Sequence, residues 1–163
     1  MARAVGLDRI WNTLDGSPEY GGSLIEVAAR DGLPAVTVEV GCHTAWFDHA
    51  DEFVDKSVRA IENVMKHLDM LEGPPEIPEH YLYTKGPVVS LHNRRGGIWE
   101  AFARIGDRLK AGQPIGRIVD TLSDEVLKVV TVPFDGIVFD VRIWPLAYPG
   151  GLLGHFAQGE LRV

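Results

Sequence analysis

The sequence predicts an α/β segment followed by an all-β module, and three observations support this division. Helix-like and strand-like patterns alternate over residues 1–72. Gly73-Pro74-Pro75 then interrupts any helix, because proline lacks the amide hydrogen that a helix interior needs. Beyond residue 80, short strand-like runs are separated by Gly, Pro and Asp without a helical period. We expect a partial α/β domain over 1–73, a linker over 74–80 and a β-rich module over 81–163.

The first helix is predicted from its capping residues. Ser23 is a suitable N-cap, and Glu26 follows at the spacing of a capping box. The run LIEVAAR comes next, and Gly32 is a favourable residue just past a helix C-terminus.

Residues 34–40, PAVTVEV, have the alternation of a β-strand. Three valines share one face, while Thr37 and Glu39 share the other. Carboxylates are almost never fully buried unless they are paired or bound to a metal. Glu39 therefore points either to solvent or into a functional site.

A second helix is predicted from Asp48, which can cap it, and the acidic residues of its first turn favour the helix dipole. One apolar stripe at helical spacing follows along this helix. Its residues are Phe53, Ser57, Ile61, Val64, Leu68 and Leu71.

The order helix–strand–helix predicts a parallel sheet covered by helices. A stable sheet needs several strands, and the segment 1–72 offers few partners for 34–40. We therefore expect 1–72 to be the last part of a larger α/β domain. Its missing strands would come from a longer natural protein, a partner chain or self-association; a compact small α/β lobe is the alternative.

The β-rich module contains a weak internal repeat, in which residues 96–118 align with 135–157. Two related halves predict a flattened sandwich or barrel with pseudo-twofold symmetry. Three glycines in each half correspond with a one-residue slip, namely Gly97, Gly112 and Gly116 with Gly136, Gly150 and Gly154.

Composition and charge argue against several partners and locations. The 163 residues are 45% hydrophobic and carry a formal net charge of −7, which disfavours binding to nucleic acid or an anionic membrane. No apolar run is long enough to span a bilayer. The single Cys42 excludes an intrachain disulfide and suits a reducing compartment, so a cytoplasmic location is expected.

Four runs resemble the C-terminal half of the succinylglutamate desuccinylase/aspartoacylase family: GGSLIEVAARDGLPAVTVEVG, IENVMKHLDMLEG, GDRLKAGQPIGRIVD and VPFDGIVFDVRIWPLAYPGGLLGHFA. The resemblance implies the last part of a carboxypeptidase-like α/β domain followed by a β-domain. It also implies a zinc-dependent amidohydrolase, or deacylase, whose substrate is an N-acyl amino acid or a similar small amide.

The resemblance gives Glu39 a catalytic role. In the family, the glutamate of a Glu-Val-Gly strand acts as general base on a zinc-bound water and then donates a proton to the leaving amine. Glu39-Val40-Gly41 matches that tripeptide. A nearby carboxylate is suited to this proton transfer. The alternative is that Glu39 lies on a solvated face.

The zinc ligands of the family have no counterpart before Glu39. Members use a His-x-x-Glu pair and a second histidine upstream of the Glu-Val-Gly strand, whereas this sequence has no histidine before Glu39. A catalytic zinc needs three protein ligands. We therefore expect this chain alone to bind no zinc and to be inactive, zinc being the cofactor of the complete family enzyme.

A zinc site of another kind is conceivable further along the chain. His49 and Glu52 form a His-x-x-Glu pair on one helical face, and His43 lies just after the predicted strand. Acidic residues at a helix start also have a structural explanation, because they favour the helix dipole.

The repeated halves with the turn VPFDGIV also resemble biotinyl/lipoyl carrier domains. Those domains carry a lysine at a hairpin tip, but here the tip is Ser123-Asp124-Glu125 and Lys128 lies too close to Pro133. This resemblance therefore concerns the fold and not covalent attachment. The alternative to the deacylase hypothesis is a non-catalytic assembly subunit, which forms a homo-oligomer or binds a complementary chain.

Overall fold

The computed structural model describes residues 1–12, 22–41 and 49–162. Cys42, His43 and Asp48 lie outside these residues. The chain divides into two compact units, of which one is Met1–Tyr81 with Leu161–Val163 and the other is Leu82–Glu160. Among the described residues, the first unit carries two α-helices and the second is built from β-strands.

The first unit begins with a 3₁₀ helix, Ala2–Val5, and a short strand β1, Arg9–Ile10. Helix α1, Leu24–Arg30, follows, and its capping confirms the prediction. The Ser23 hydroxyl accepts a hydrogen bond from the Glu26 amide at 3.3 Å, and the Glu26 carboxylate accepts one from the Gly22 amide. The capping residues therefore fix the start of α1.

The second helix is α2, Ala50–His67. The face of α2 that is buried in the first unit is not the face that carries the predicted apolar stripe. Its buried residues are Ala60 and Asn63. Three members of the predicted apolar stripe, Ile61, Leu68 and Leu71, are exposed, so this part of the stripe is not buried by the described residues. The reason is that a polar residue, Asn63, anchors the covered face, and polar residues do not contribute to an apolar pattern.

Asn63 joins three segments of the first unit. Its side-chain amide donates hydrogen bonds to the carbonyl oxygens of Val5 at 3.3 Å and Glu76 at 2.8 Å. Its side-chain oxygen accepts one from the Glu76 amide at 2.8 Å. Since the side chain is buried, these bonds hold the 3₁₀ helix, α2 and the segment after α2 together.

Replacing Asn63 by leucine should therefore destabilise the first unit. The variant keeps the side-chain size but removes the hydrogen-bond partner of the buried Val5 carbonyl and of two part-buried backbone groups of Glu76, at an expected cost of about 1–3 kcal/mol. Urea unfolding followed by the helical circular dichroism signal measures the change. Glu62→Gln, at the neighbouring exposed position on α2, is the control and should change the free energy of unfolding by less than about 0.5 kcal/mol. Equal midpoints for the two variants would contradict the role given to Asn63.

Residues 34–40, predicted as a strand, form no hydrogen-bonded strand. They have no regular secondary structure, and none of their backbone groups is hydrogen-bonded to another backbone group in the described ranges. Extended backbone becomes a β-strand only through its ladder partners. Val36 and Val40 are half-buried, whereas Val38 on the same predicted face is exposed, as Thr37 and Glu39 are. The predicted difference between the two faces is therefore present at two of the three valines.

The strands of the second unit form two sheets, as the prediction of short strands beyond residue 80 requires. Within this unit one sheet has the order β2-β9-β7-β4 and the other β6-β5-β3-β8. The strands are β2 Tyr81–His92, β3 Gly97–Ala101, β4 Arg108–Leu109, β5 Pro114–Val119, β6 Val126–Thr131, β7 Gly136–Val141, β8 Leu146–Ala147 and β9 Leu152–Arg162.

The internal repeat appears as reciprocal strand pairing. Strand β3 pairs with β5, and β7 pairs with β9 in the other half. The short strand of each half pairs with the first strand of the other half, β4 with β7 and β8 with β3. A Cβ atom at Gly97 or Gly136 would clash with the carbonyl oxygen of Val119 or Ala157. Glycine at these equivalent positions therefore permits the close approach of backbones.

Side chains from both sheets form one core in the second unit. Phe156 and Val138 come from one sheet and Ile118 from the other, and all three are fully buried. The cluster consists of Trp99, Ala103, Ile115, Ile118, Val130, Val132, Val138, Val141, Ala147, Leu153 and Phe156.

Candidate functional site

Glu39 lies near the end of segment 34–40, with its side chain exposed. Gly41 follows two residues later in the left-handed region, at φ +93°. A Cβ atom at Gly41 would lie 3.1 Å from Cδ2 of Phe53, so the end of this segment lies against helix α2. Glu39 therefore lies two residues before the point where the segment contacts α2, and its carboxylate is exposed to solvent.

Glu39 differs from the other candidate carboxylate in its partners. No described residue forms an ion pair with Glu39, whereas Glu52 has two such partners. The exposed Glu39 carboxylate is therefore open to a water molecule, whereas both oxygens of Glu52 are engaged by other side chains.

The predicted pair His49 and Glu52 is engaged with a lysine. Nδ1 of His49 lies 3.4 Å from one Glu52 oxygen, and Nζ of Lys56 lies 2.6 Å from the other. The hydrogen bond and charge of Lys56, and then those of His49, hold the pKa of the Glu52 carboxyl below its usual value. Because the ammonium group occupies this carboxylate and repels a second cation, the geometry favours an ion-pair cluster over a metal site. His43 lies outside the described residues.

Lys56 is the member of this cluster that the sequence analysis missed. Its signal is the Glu–Lys spacing of four residues on a helix, which brings opposite charges together on one face. All three side chains are substantially exposed, so the cluster is a solvated surface feature at the start of α2.

Two histidines of the second unit are hydrogen-bonded locally. Nδ1 of His155 lies 3.2 Å from the Asp140 carboxylate, and Nδ1 of His92 lies 3.1 Å from the Gly150 carbonyl oxygen. These contacts join neighbouring strands and loops and do not converge on a common point.

Zinc does not fit the described residues of this chain by themselves. Over 1–12, 22–41 and 49–162, no three His, Cys, Asp or Glu side chains are close enough together to hold a metal ion. Since a catalytic zinc needs three protein ligands, zinc would require ligands beyond these described side chains.

In the described part of the chain, no helix is both long enough and apolar enough to cross a lipid bilayer.

The fold defines a class of protein: it is the fold of the C-terminal portion of succinylglutamate desuccinylase/aspartoacylase structures. No protein-family model matches the sequence, and a comparison with curated proteins finds no match. The likeness is therefore structural.

Three solved structures illustrate the likeness. A succinylglutamate desuccinylase/aspartoacylase from Rhodobacter sphaeroides is 20% identical, with a TM-score of 0.72 over 99% of this chain and 48% of that chain. The product-bound ectoine utilization protein EutE (DoeB) from Ruegeria pomeroyi is 17% identical, with a TM-score of 0.71 over 96% of this chain and 46% of that chain. A succinylglutamate desuccinylase from a Silicibacter species is 16% identical, with a TM-score of 0.71 over 98% of this chain and 47% of that chain. The chain spans about half the length of the structures that it matches.

Proposed function

We propose that this chain is the C-terminal portion of a deacylase related to the succinylglutamate desuccinylase/aspartoacylase family. In the complete protein it would hydrolyse an N-acyl amino acid or a similar small amide. The observation that carries the proposal is that almost the whole chain superimposes on half of the matched structures. The Glu39-Val40-Gly41 tripeptide and its exposed carboxylate support a catalytic contribution from this half.

Glu39 contributes proton transfer in this proposal. Its carboxylate accepts a proton from the attacking water as the water oxygen bonds to the acyl carbon. The same proton then passes to the amide nitrogen as the C–N bond breaks, so the products are a carboxylic acid and an amine. Among the described residues no cation forms an ion pair with Glu39, so its exposed carboxylate is open to an attacking water.

Metal binding belongs to a different part of the proposed enzyme. The described residues of this chain do not form a zinc site, and we assign the zinc ligands to side chains other than these. This half therefore supplies the acid–base group and the β-rich second unit, while the metal is held elsewhere.

A non-catalytic assembly subunit is the second candidate function. The absence of a metal-ligand group among the described residues favours it, because a chain without a metal site can be kept for its assembly role alone. A carrier role is disfavoured by the missing lysine at the hairpin tip.

The native protein, purified from its organism, tests these alternatives. Zinc is determined by atomic absorption, and hydrolysis is measured on N-acyl amino acids that include N-succinylglutamate and N-acetylaspartate. We expect zinc and hydrolysis of at least one substrate in the native protein, and no hydrolysis by the isolated 163-residue chain. A native protein without zinc or hydrolysis would favour the assembly subunit. Hydrolysis by the isolated chain would show that the division of roles is wrong.

A further inference from the structure

We propose that two copies of this protein associate through the outer face of one sheet of the second unit, the sheet with the strand order β6-β5-β3-β8. The two copies are related by a twofold axis that runs along the strands, between β3 and β5. The inference goes beyond the proposed function, because it requires neither zinc nor hydrolysis and applies equally to a non-catalytic assembly subunit.

The strand register separates the outer face of this sheet from the core. Trp99 and Ala147 belong to the core that the two sheets of the second unit share. Successive residues of a strand point to opposite sides of the sheet, so Ile98 on β3 and Leu146 on β8 lie on the outer face. The register pairs these two residues with each other. The outer face therefore carries aliphatic side chains side by side on these two strands.

A row of aliphatic residues crosses all four strands on this outer face. Ile98 pairs with Val119 on β5, and Val119 pairs with Val126 on β6. The row, called the aliphatic row below, consists of Leu146, Ile98, Val119 and Val126. Its two ends are the most accessible, since Leu146 is 62% exposed and Val126 is 49% exposed. Association through this face would remove that apolar surface from water, which is favourable.

The next row along the strands carries opposite charges. Glu100 on β3 pairs with Arg117 on β5, and their side chains form an ion pair in which each is 42% exposed. Val129 on β6 continues this row beside Arg117 and is 50% exposed. The two central strands of the outer face thus present one acid and one base next to the aliphatic row.

Both rows are self-complementary about the proposed axis. A twofold axis along the strands sets β3 against β5 of the second copy and β8 against β6 of the second copy, so each row lies opposite itself. Leu146 would face Val126 of the second copy, and Glu100 would face Arg117 of the second copy. Each copy therefore places its acid against the base of the other. Facing sheets keep their strand directions within about 30° of each other, as this arrangement does.

The chain connections favour a second copy over another part of a longer polypeptide at this face. Strands β2 and β9 lead into the first unit, and both belong to the other sheet. The strands β3, β5, β6 and β8 are connected only within the second unit. A partner of different sequence would also have to match the acid and the base separately, whereas a second copy matches both by symmetry.

Charge reversal and complementation in the native protein test this interface. Glu100→Arg leaves two basic residues at the centre of the face, and Arg117→Glu leaves two acidic ones. Either variant alone sets like charges against each other, and we expect it to weaken dimerisation at least about tenfold in sedimentation equilibrium. An equimolar mixture of the two variants should associate within about threefold of the parent Kd, because a basic face then meets an acidic one.

A second pair of variants tests the aliphatic row. Leu146→Asp places a charge at the exposed end of the row and should also weaken dimerisation at least about tenfold. Ile105→Asp is the matched control, since Ile105 is 44% exposed in the turn between β3 and β4, and the next residue, Gly106, donates a hydrogen bond to Val138 of the other sheet. This control should leave Kd within about twofold of the parent value.

Circular dichroism verifies that each variant is folded before its association is measured. A parent protein that is monomeric at every concentration, a mixture that associates no better than its separate components, or equal effects of the two aspartate variants would each overturn the proposal. Dimerisation by a native protein without zinc or hydrolysis would leave this inference standing while the proposed function fails.

Discussion

Replacing Glu39 by glutamine is expected to lower kcat of the native assembly by a factor of about 10²–10⁴. Glutamine has nearly the size of glutamate but cannot accept a proton from water and pass it to the leaving nitrogen. Because the substitution removes no metal ligand, zinc content should be unchanged. KM should also change little, since the lost interaction acts in the transition state.

The matched control for this variant is Glu125→Gln. Glu125 is exposed in the second unit, and the same change of charge there should leave kcat within about twofold of the parent protein, since surface substitutions rarely have large effects. Steady-state kinetics and zinc content are measured for both variants. A Glu39→Gln assembly that retains more than about a tenth of the parent kcat is incompatible with general acid–base catalysis by Glu39.

Several elements of the fold could be predicted from residues that lie close together in the sequence. The cap of α1 depends only on Ser23 and Glu26, which are three residues apart, and the structure confirms it. The strands of the β-rich module are also confirmed, since their turns and ladder partners lie within the same stretch of chain. The glycine spacing identifies Gly97 and Gly136 as equivalent positions, and in the structure each allows two backbones to approach closely.

Features that depend on distant or absent partners were less predictable. The covered face of α2 is set by Asn63, whose partners Val5 and Glu76 are remote in sequence or on the far side of a proline-containing turn. Residues 34–40 have the composition of a strand, but a ladder requires another chain segment beside them. The residue pattern of 34–40 therefore does not predict whether a pairing strand is present.

The candidate site also has one feature that the sequence predicts and one that it does not. The sequence singles out Glu39 because a carboxylate is unusual in a strand-like run, and the structure places it on the exposed side of that segment. The pair His49 and Glu52 was found by spacing, but spacing alone did not include Lys56, whose ammonium group binds the same carboxylate. Charge partners one helical turn away therefore need to be considered before a His-x-x-Glu pair is assigned to a metal.

Replacing Phe156 by alanine should produce the largest loss of stability, at about 3–5 kcal/mol. Phe156 is fully buried in the core that both sheets of the second unit share. Its ring centroid lies 5.4 Å from that of Phe134, and Gly136 provides the space that the ring occupies. Alanine would leave a cavity lined by rigid strands, and strands held in two ladders can collapse into it only slightly.

Phe102→Ala is the matched control, because it removes the same side chain from a position that is 53% exposed. Its ring contacts the Arg117 guanidinium, whose carbon lies 5.9 Å from the ring centroid, and such exposed contacts contribute about 0.5–1 kcal/mol. Urea unfolding followed by tryptophan fluorescence compares the variants in the full chain. If the two substitutions cost the same, the second unit is not stabilised by a core shared between its sheets. A much larger cost at Phe156 would show that the second unit has a stable core of its own.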